Sequence, residues 1–410
     1  MKIAIVAPEV FPVPPIRGGA VETGIEEHSS NLIEHDVHIF GIADSELPLF
    51  EKRGHRTYHR FQRTLFDKLL LSSWRLPFKQ SHSKWYYWPY CQWVVKKVKE
   101  IQPDLIRVHS RIQFVPWLRA AAPEAKIILC IHNESNLEGE RVWSREAIEA
   151  CDVITGCSQM MTEEIVKRHP FCVGRTRILY NGVNIESFQP YWNRTREREA
   201  LRKENGFSEG PIILYVGRLV EEKGVHLLIE AFERVHPAVP NAKLLIVGSR
   251  TFSDERPTPY IESLRKKAEG FEKYIHFIGH VSHKDISRYY LMSDIVAFPS
   301  LWREPFGLVV VEAMASGLPV VAFDQGGPAE IIQNGKDGIL VPKEKGLEGF
   351  TEALMQLIKN PALREKIGRE ARQTAESRFT WKEVAKNFLA LCEALKSPEV
   401  TEKELLHTCS

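Results

Sequence analysis

The 410-residue sequence has no run of eighteen consecutive apolar residues, and its first apolar run, residues 3–7, is ended by Pro8 and Pro12. An α-helix needs about 20 apolar residues to cross a bilayer, so we expect no membrane-spanning helix. The first run is also shorter than the apolar region of a secretory signal. We therefore interpret it as a buried strand.

The number and spacing of the cysteines exclude some kinds of site. The seven cysteines are odd in number and irregularly spaced, and no C-x-x-C pair occurs. This pattern argues against a disulfide framework and against a cysteine metal site. It is typical of a chain in a reducing compartment, so we predict a cytoplasmic location.

Three motifs that bind phosphates or metals are also missing: G-x-G-x-x-G, the Walker loop and the D-x-D pair. The first absence disfavours a dinucleotide-type phosphate loop. The third removes the carboxylate pair that would hold a metal on a diphosphate. We therefore predict no metal and no cofactor, so that any phosphate must be met by basic side chains and helix amides.

The features that are present indicate two domains. A chain of 410 residues exceeds one ordinary core and suggests two domains of about 200 residues. Short apolar runs alternate with helical patterns twice over, which is typical of parallel sheets built from strand–helix–strand units. The predicted strands are 3–7, 37–42, 105–109, 126–132 and 153–157 in the first half, and 212–217, 243–248, 275–278, 295–299 and 320–323 in the second.

These patterns predict the α/β class, with two doubly wound, Rossmann-like domains. A charged stretch at 191–206 separates the two sets of strands. The predicted domains are 1–190 and 191–380. A helix at 381–396 is expected to pack back on the N-terminal domain, and a tail follows at 397–410.

The stretch EPFGLVVVEAMASG, residues 304–317, places Glu304 and Glu312 eight positions apart across the start of a predicted helix. The first amides of that helix have no intrahelical acceptor and form an anion site. Apolar neighbours would leave the Glu312 carboxylate without a partner, and ribose hydroxyls would suit it. Glu304 faces the other side of such a ligand, or is only a helix-entry carboxylate.

The octapeptide GRLVEEKG, residues 217–224, follows a predicted strand and precedes a helical pattern. Arg218 and Lys223 therefore lie at the carboxyl end of a parallel strand, where doubly wound sheets bind ligands. A guanidinium and an ammonium at this spacing can hold two phosphates without a metal. The alternative is a solvated loop in which they pair with Glu221 and Glu222.

In the first half, Gly18 and Gly19 follow the first strand, where paired glycines let the backbone approach a ligand closely. A plain turn is the alternative. His109 and His132 each end a predicted strand, so both are expected to point into one cleft. Each histidine alone could equally be a hydrogen-bonded structural residue.

Four motifs together resemble glycosyltransferase family 4: GRLVEEKG, the E-x7-E spacing of Glu304 and Glu312, GLPVVAFDQGGPAEII at 317–332, and NGV at 181–183. GSRTFSDE at 248–255 and CIHNES at 130–135 look most like its spore-coat-associated branch. The resemblance implies the GT-B fold, in which two Rossmann-like domains face each other across a cleft. It also implies a nucleotide-diphosphate sugar donor, with a UDP-sugar favoured, and transfer with retention and without a metal.

The resemblance further implies roles for single residues, carried over by position. The two cations would stabilise the departing diphosphate, Glu304 would contact the donor sugar, and Glu312 would hold the ribose. The implied catalytic set is His109, Arg218, Lys223 and Glu304. The implied donor-binding set is Gly18, Gly19, Gly248, Val281, Phe306, Gly307, Leu308, Val309 and Glu312, and the acceptor-side set is His132, Asn133 and Glu134.

The implied function is transfer of a hexose-type sugar to an unknown hydroxyl acceptor, in cell-envelope or spore-coat glycan synthesis. No nucleophile is evident on the far face of the donor, so a same-face displacement with an oxocarbenium-like transition state is favoured. Two alternatives stay open. One is a sugar-nucleotide 2-epimerase of the same fold, and the other is a non-catalytic coat or scaffold protein.

Residues 51–99 hold twelve Lys or Arg against only Glu51 and Asp67, although the whole chain has a net charge of +2. Aromatic rings interleave with these cations, at Trp74, Phe78, Trp85, Tyr86, Tyr87, Trp88, Tyr90 and Trp93. This composition suits peripheral contact with an anionic membrane, or else a helical insertion whose rings pack inside the first domain. No RNA-binding motif is present, so we predict no nucleic-acid partner.

Overall fold

The computed structural model describes residues 1–64, 84–138, 143–250 and 258–396. Two compact units divide the chain. Unit 1 holds Met1–Tyr180 together with the chain from Val384 onward, and unit 2 holds Asn181–Glu383. The chain thus passes between units at 180 and again at 383, against predicted domain boundaries at 190 and 380.

The strands of unit 1 are β1 (Lys2–Val6), β2 (Asp36–Ile42), β3 (Phe50–Arg53), β4 (Arg56–Phe61), β5 (Leu105–His109), β6 (Lys126–Ile131), β7 (Val153–Gly156) and β8 (Thr176–Ile178). They form one sheet in the order β3-β4-β2-β1-β5-β6-β7-β8. Its neighbours pair in parallel, except that β3 is antiparallel to β4. Helices cover both faces of such a sheet, which is why a central strand such as β5 is buried at every residue.

The strands of unit 2 are β9 (Ile212–Val216), β10 (Lys243–Val247), β11 (Ile275–Gly279), β12 (Ile295–Phe298), β13 (Val320–Phe323) and β14 (Ile339–Val341). They form a second sheet, parallel throughout, in the order β11-β10-β9-β12-β13-β14. In chain order this is 3-2-1-4-5-6, the order of a doubly wound dinucleotide-type fold.

The helices of unit 1 before residue 180 are α1 (Ala20–Ser30), α2 (Lys84–Ile101), α3 (Val115–Ala121), α4 (Arg145–Glu149) and α5 (Gln159–Arg168). Those of unit 2 are α6 (Thr195–Glu204), α7 (Val225–Val235), α8 (Pro259–Lys267), α9 (Ile286–Met292), α10 (Leu308–Ala315), α11 (Gly326–Ile331), α12 (Gly346–Lys359) and α13 (Pro361–Arg378). They form because apolar residues recur at helical spacing. In α7, the residues Val225, Leu228, Ile229, Phe232 and Val235 are all buried along one face.

The last described helix, α14 (Trp381–Ala394), begins in unit 2 and belongs to unit 1 from Val384. Within unit 1, the Phe388 ring lies edge-on to His28 with centroids 4.9 Å apart. The guanidinium carbon of Arg107 lies 5.0 Å from the same ring centroid. The C-terminal helix therefore contributes to the core of unit 1.

All ten predicted strands are present, but four strands were missed: β3, β4, β8 and β14. The β3–β4 hairpin carries charged residues on both strands and turns at Gly54, whose φ of 59° lies in the left-handed region. Its charge conceals the period-two pattern. The strands β8 and β14 have three residues each, which is too short for periodicity to show.

Each sheet has one point at which the chain reverses the direction in which strands are added. In unit 1 this point lies between β1 and β5, and in unit 2 it lies between β9 and β12. Loops that leave the carboxyl ends of these two strands diverge and open a crevice, which is where doubly wound sheets bind ligands. The residues that follow β9 and β12 are therefore the first to consider as a site.

Part of the basic aromatic segment lies in the interior of unit 1. Tyr87 and Tyr90 are buried, and the Tyr90 hydroxyl contacts the carbonyl oxygens of Ala7 and Phe40 at 3.0 and 2.9 Å. These rings behave as the packed insertion predicts. Trp74 and Phe78 lie outside the described residues. Within the described part of the chain, no helix combines the length and apolar character needed to cross a membrane.

Candidate active site

An ion pair links the two segments that leave the switch point of unit 2. Lys223 follows β9, and its Nζ donates to Oε1 of Glu304, which follows β12. The two side chains are only 13% and 10% exposed. Lys223 Nζ also lies 5.2 Å from the centroid of the Trp302 ring. Two predicted catalytic residues, 81 positions apart in sequence, are thus in direct contact.

Glu304 is held in place by several polar contacts. The Ser300 hydroxyl donates to the same Oε1 at 2.9 Å, and Nε2 of Gln325 donates to the Ser300 carbonyl at 2.9 Å. The Gly327 amide donates to the carbonyl of Glu304 at 2.8 Å. No hydrogen bond reaches Oε2 of Glu304 from the described residues, so that oxygen can accept one from a ligand.

Helix α10 begins directly after this loop. Gly307 has a φ of 100°, a conformation that favours glycine, and its carbonyl accepts the Val310 amide at 2.9 Å. The amides of Leu308 and Val309 have no acceptor among the residues that the structure describes. These are the donors on which the predicted anion site depends, and their role in binding stays a prediction. Phe306 also belongs to the implied donor-binding set, but its side chain is buried and packs against Phe379.

Glu312 has a partner that the sequence did not reveal. The hydroxyl of buried Tyr290 donates to its Oε2 at 2.8 Å, so the expectation that this carboxyl lacks a protein partner is wrong. Burial raises the pKa of Glu312, while the His283 charge and the Tyr290 hydrogen bond oppose that rise. Oε1 accepts no hydrogen bond within the described chain.

Arg218 is the most exposed of the predicted catalytic residues. Its Nη2 lies 3.0 Å from Oε1 of Glu222, and the two side chains are 44% and 50% exposed. This is the pairing that the solvated-loop alternative anticipates for the arginine. An exposed pair of this kind contributes about 0.2 to 1 kcal/mol, so a phosphate could replace the carboxylate at little cost.

Glycines end three adjacent strands of unit 2. The Gly217 amide donates to the Val247 carbonyl at 3.0 Å, and the Gly248 amide donates to the Gly279 carbonyl at 2.8 Å. A Cβ on Gly248 would overlap the carbonyl oxygen of Gly217, so this approach requires glycine. Val281, beyond the last of these glycines, is half-buried. The loop that carries Val281, a residue of the implied donor-binding set, is thus anchored at the carboxyl edge of the sheet.

In unit 1, the strand ends of β5 and β6 bring His109 and His132 together. Nδ1 of His109 lies 2.8 Å from Nε2 of His132. Burial, with the Arg107 charge second, lowers the pKa of His132 to about 3 and the pKa of His109 well below its usual value. Both rings are therefore neutral at neutral pH. Nε2 of His109 has no hydrogen-bond partner in the described part of the chain.

The two residues after His132 have local structural roles. Oδ1 of Asn133 accepts from the Asn136 amide at 3.1 Å and so caps the short helical turn Glu134–Leu137. Glu134 pairs with Arg168 at 3.3 Å. Their assignment to the acceptor side stays a prediction.

The two glycines after β1 take left-handed conformations, with φ of 83° at Gly18 and 111° at Gly19. A Cβ on Gly19 would overlap Oε2 of Glu22. Glu22 is 3% exposed, and its burial raises the pKa of this carboxyl to about 7. The φ of Gly19 favours glycine at this position, and the buried Glu22 carboxyl lies against the loop.

Sequence reasoning missed several residues around these sites. Glu9 and Arg111 form a buried bidentate ion pair, with Nε and Nη2 of the arginine 2.8 and 2.7 Å from the two carboxylate oxygens. The pair accounts for one of the two arginines that flank His109. The other, Arg107, donates through Nε to Sγ of Cys130 at 3.1 Å. No local pattern links positions about a hundred residues apart.

Two family models match the chain: Glycosyltransferase Family 4 over residues 21–187, and Glycosyl transferases group 1 over residues 197–374. The chain is 31% identical over 403 residues to spore coat protein SA of Bacillus subtilis (strain 168), which covers 96% of this chain and 99% of that protein. It is 29% identical over 407 residues to the putative glycosyltransferase YtcC of the same organism, covering 97% of this chain and 93% of that protein.

Solved structures give the same fold. Alr3699/HepE of Anabaena in complex with UDP-glucose is similar with a TM-score of 0.73 at 21% identity, covering 96% of this chain and 100% of that one. The complex of the same protein with UDP and glucose has a TM-score of 0.72 at 22% identity, covering 97% and 100%. The predicted class, two Rossmann-like domains, is confirmed.

Glu22 should make stability depend on pH in a defined direction. Its pKa rises from 4.5 to about 7 on folding, so between these values the folded chain keeps a proton that the unfolded chain releases. Stability conferred by this group therefore falls as pH rises through that window. Relative to wild type, Glu22→Gln should gain up to about 3 kcal/mol between pH 5 and pH 8.

The measurement is urea unfolding of both chains across this pH range. Glu34→Gln is the control, since Glu34 is an exposed glutamate of the same unit. Its free energy of unfolding, plotted against pH, should stay parallel to that of wild type. Parallel curves for wild type and Glu22→Gln would contradict the assignment.

Proposed function

The chain belongs to glycosyltransferase family 4, and we propose that it transfers a hexose from a UDP-sugar to a hydroxyl acceptor, with retention and without a bound metal. The Lys223–Glu304 pair is the observation that carries the proposal. It places one cation and one carboxylate at the switch point of unit 2, directly before the N-terminal amides of α10. A cation and helix amides can bind a diphosphate, and a carboxylate can accept from the hydroxyls of its sugar.

The proposed reaction is a same-face substitution. The bond between the anomeric carbon and the diphosphate oxygen breaks, and a bond from the anomeric carbon to the acceptor oxygen forms. The acceptor proton passes to the departing phosphate oxygen. Negative charge builds on the diphosphate, so Lys223, Arg218 and the amides of α10 accelerate the step by stabilising that charge.

Glu304 and Glu312 would each bind a different part of the donor. The unengaged Oε2 of Glu304 can accept a hydrogen bond from a sugar hydroxyl, and Oε1 of Glu312 can accept one from the ribose. His109 would orient and polarise the sugar rather than act as an obligatory base, because burial lowers its pKa and makes the ring a weak base.

UDP is proposed as the nucleotide because HepE, which shares the fold, has been solved with UDP-glucose. A role in envelope or coat glycan synthesis is proposed from the similarity to spore coat protein SA. The chain is proposed to act in the cytoplasm.

The first test is a thermal-unfolding panel of the full chain with UDP-, GDP- and ADP-sugars. We expect one UDP-hexose to raise the midpoint, and we expect UDP release on incubation, with product of the same anomeric configuration as the donor by NMR. Conversion of the donor into its 2-epimer would favour the epimerase. No shift with any nucleotide would favour the scaffold.

Lys223→Met should lower the rate of UDP release at least about 100-fold, because it removes the principal cation facing the departing diphosphate. It should also lower stability, because it leaves the Glu304 carboxylate buried without its cation. Adding Glu304→Gln to Lys223→Met should restore stability but not the rate of UDP release. Turnover is followed by UDP release and stability by thermal unfolding.

Lys267→Met is the matched control, since Lys267 forms an ion pair with Glu230 in the same unit at 35% exposure of each side chain. Its turnover should match that of wild type. Wild-type turnover in Lys223→Met would rule out the proposed role of the pair.

We also propose that the basic segment 51–99 makes peripheral contact with an anionic membrane. In support, Trp88 of α2 lies edge-on to Trp117 of α3 with centroids 5.0 Å apart, and Trp117 is 47% exposed. Amphipathic rings beside cations suit the interface.

The membrane proposal predicts flotation of the full chain with vesicles that contain phosphatidylglycerol at low salt, and release at high salt as charges are screened. Vesicles of phosphatidylcholine alone should not carry it. Trp117→Ser should reduce flotation without changing UDP release. Absence of flotation at low salt would remove this proposal.

A further inference from the structure

A buried tyrosine holds the carboxyl group that is proposed to bind the ribose. Tyr290 is fully buried in α9, and its hydroxyl donates to Oε2 of Glu312 at 2.8 Å. A fully buried hydroxyl cannot reach a ligand in the crevice. Any influence of Tyr290 on binding must therefore act through Glu312.

Tyr290 is itself fixed from two sides. Its ring lies edge-on to Phe188, with centroids 5.3 Å apart. The backbone just beyond it is held by buried Arg198, whose Nη1 donates to the carbonyls of Leu291 at 2.8 Å and Ser293 at 2.7 Å. The hydroxyl consequently occupies one position relative to α10.

The Tyr290 hydrogen bond leaves the two oxygens of Glu312 in different states. Oε2 is engaged by the tyrosine, whereas Oε1 accepts no hydrogen bond from the rest of the described chain. The main chain at this point is also secured, because the Ser316 hydroxyl donates to the Glu312 carbonyl at 2.9 Å. Of the two oxygens, Oε1 is the one that keeps its full capacity to accept hydrogen bonds from a ligand.

The loop that carries Val281 leads from Gly279 into the helix that carries Tyr290. Helix α9 starts just after Ser282, whose carbonyl accepts the Ile286 amide at 3.0 Å and whose hydroxyl contacts Oδ2 of Asp285 at 2.6 Å. These contacts fix the start of the helix that carries Tyr290 to the loop that precedes it.

We propose that Tyr290 is a positioning residue that sets recognition of the ribose hydroxyls of a nucleoside diphosphate by orienting Glu312. The inference rests on the proposed function, because it deepens the role assigned to Glu312. It predicts that loss of the Tyr290 hydroxyl weakens binding only of ligands that carry the ribose hydroxyl contacted by Glu312.

The test is calorimetric titration of the full chain with UDP, 2′-deoxy-UDP and 3′-deoxy-UDP. Wild type should bind UDP roughly tenfold more tightly than at least one deoxy analogue, as expected for one hydrogen bond to a charged group. In Tyr290→Phe this preference should fall to about threefold or less, with affinity for that analogue nearly unchanged.

Tyr58→Phe is the matched control. Tyr58 is also fully buried, and its hydroxyl contacts Oε2 of Glu26 at 2.9 Å in unit 1. This variant removes the same buried hydroxyl–carboxylate contact away from the donor residues, so it should keep the full preference for UDP.

A full UDP preference in Tyr290→Phe overturns the inference and leaves the proposed function standing. Equal binding of UDP and both analogues by wild type also overturns it. Wild type that binds no nucleotide overturns both. If Tyr290→Phe does not fold, 3-fluorotyrosine at position 290 keeps the hydroxyl but strengthens it as a donor. The stronger hydrogen bond would draw negative charge away from Oε1 of Glu312, so the preference for UDP over the deoxy analogue should fall. An unchanged preference overturns the inference.

Discussion

The ion pair between Lys223 and Glu304 sets the requirements for the rest of the candidate site. Both side chains are largely buried, and a buried charge needs a partner and further hydrogen bonds to be tolerated. The segments after β9 and β12 must therefore stay together. Ser300, Gln325 and the Gly327 amide supply the additional contacts around Glu304. The placement of the proposed catalytic groups and the local stability thus depend on the same few atoms.

Close backbone approach is the second constraint, and it explains where glycine is needed. A Cβ on Gly326 would lie 2.6 Å from the Glu304 carbonyl oxygen, so the start of α11 can contact the Glu304 loop only without a side chain. The same holds for Gly248 against the Gly217 carbonyl. These contacts bring main-chain groups to the carboxyl edge of the sheet at short range, where amides can meet a phosphate.

The features predictable from sequence were those with local signatures. Ten strands followed from apolar runs, and the positions of Glu304, Glu312 and Lys223 followed from turns and helix starts. What escaped prediction depends on contacts across the fold. Tyr290 reaches Glu312 across 22 residues and Arg111 reaches Glu9 across 102, and neither distance leaves a periodic trace. The β3–β4 hairpin was missed because charge, rather than alternation, dominates its sequence.

The discontinuity of unit 1 has a consequence for biosynthesis. Phe388, on the last described helix, packs beside His28 and Arg107, which are translated long before it. A nascent chain therefore completes unit 2, residues 181–383, while the core of unit 1 still lacks its final helix. The core of unit 1 therefore gains this helix only after unit 2 has been synthesised. Unit 2 is a single uninterrupted stretch and has no such dependence on the order of synthesis.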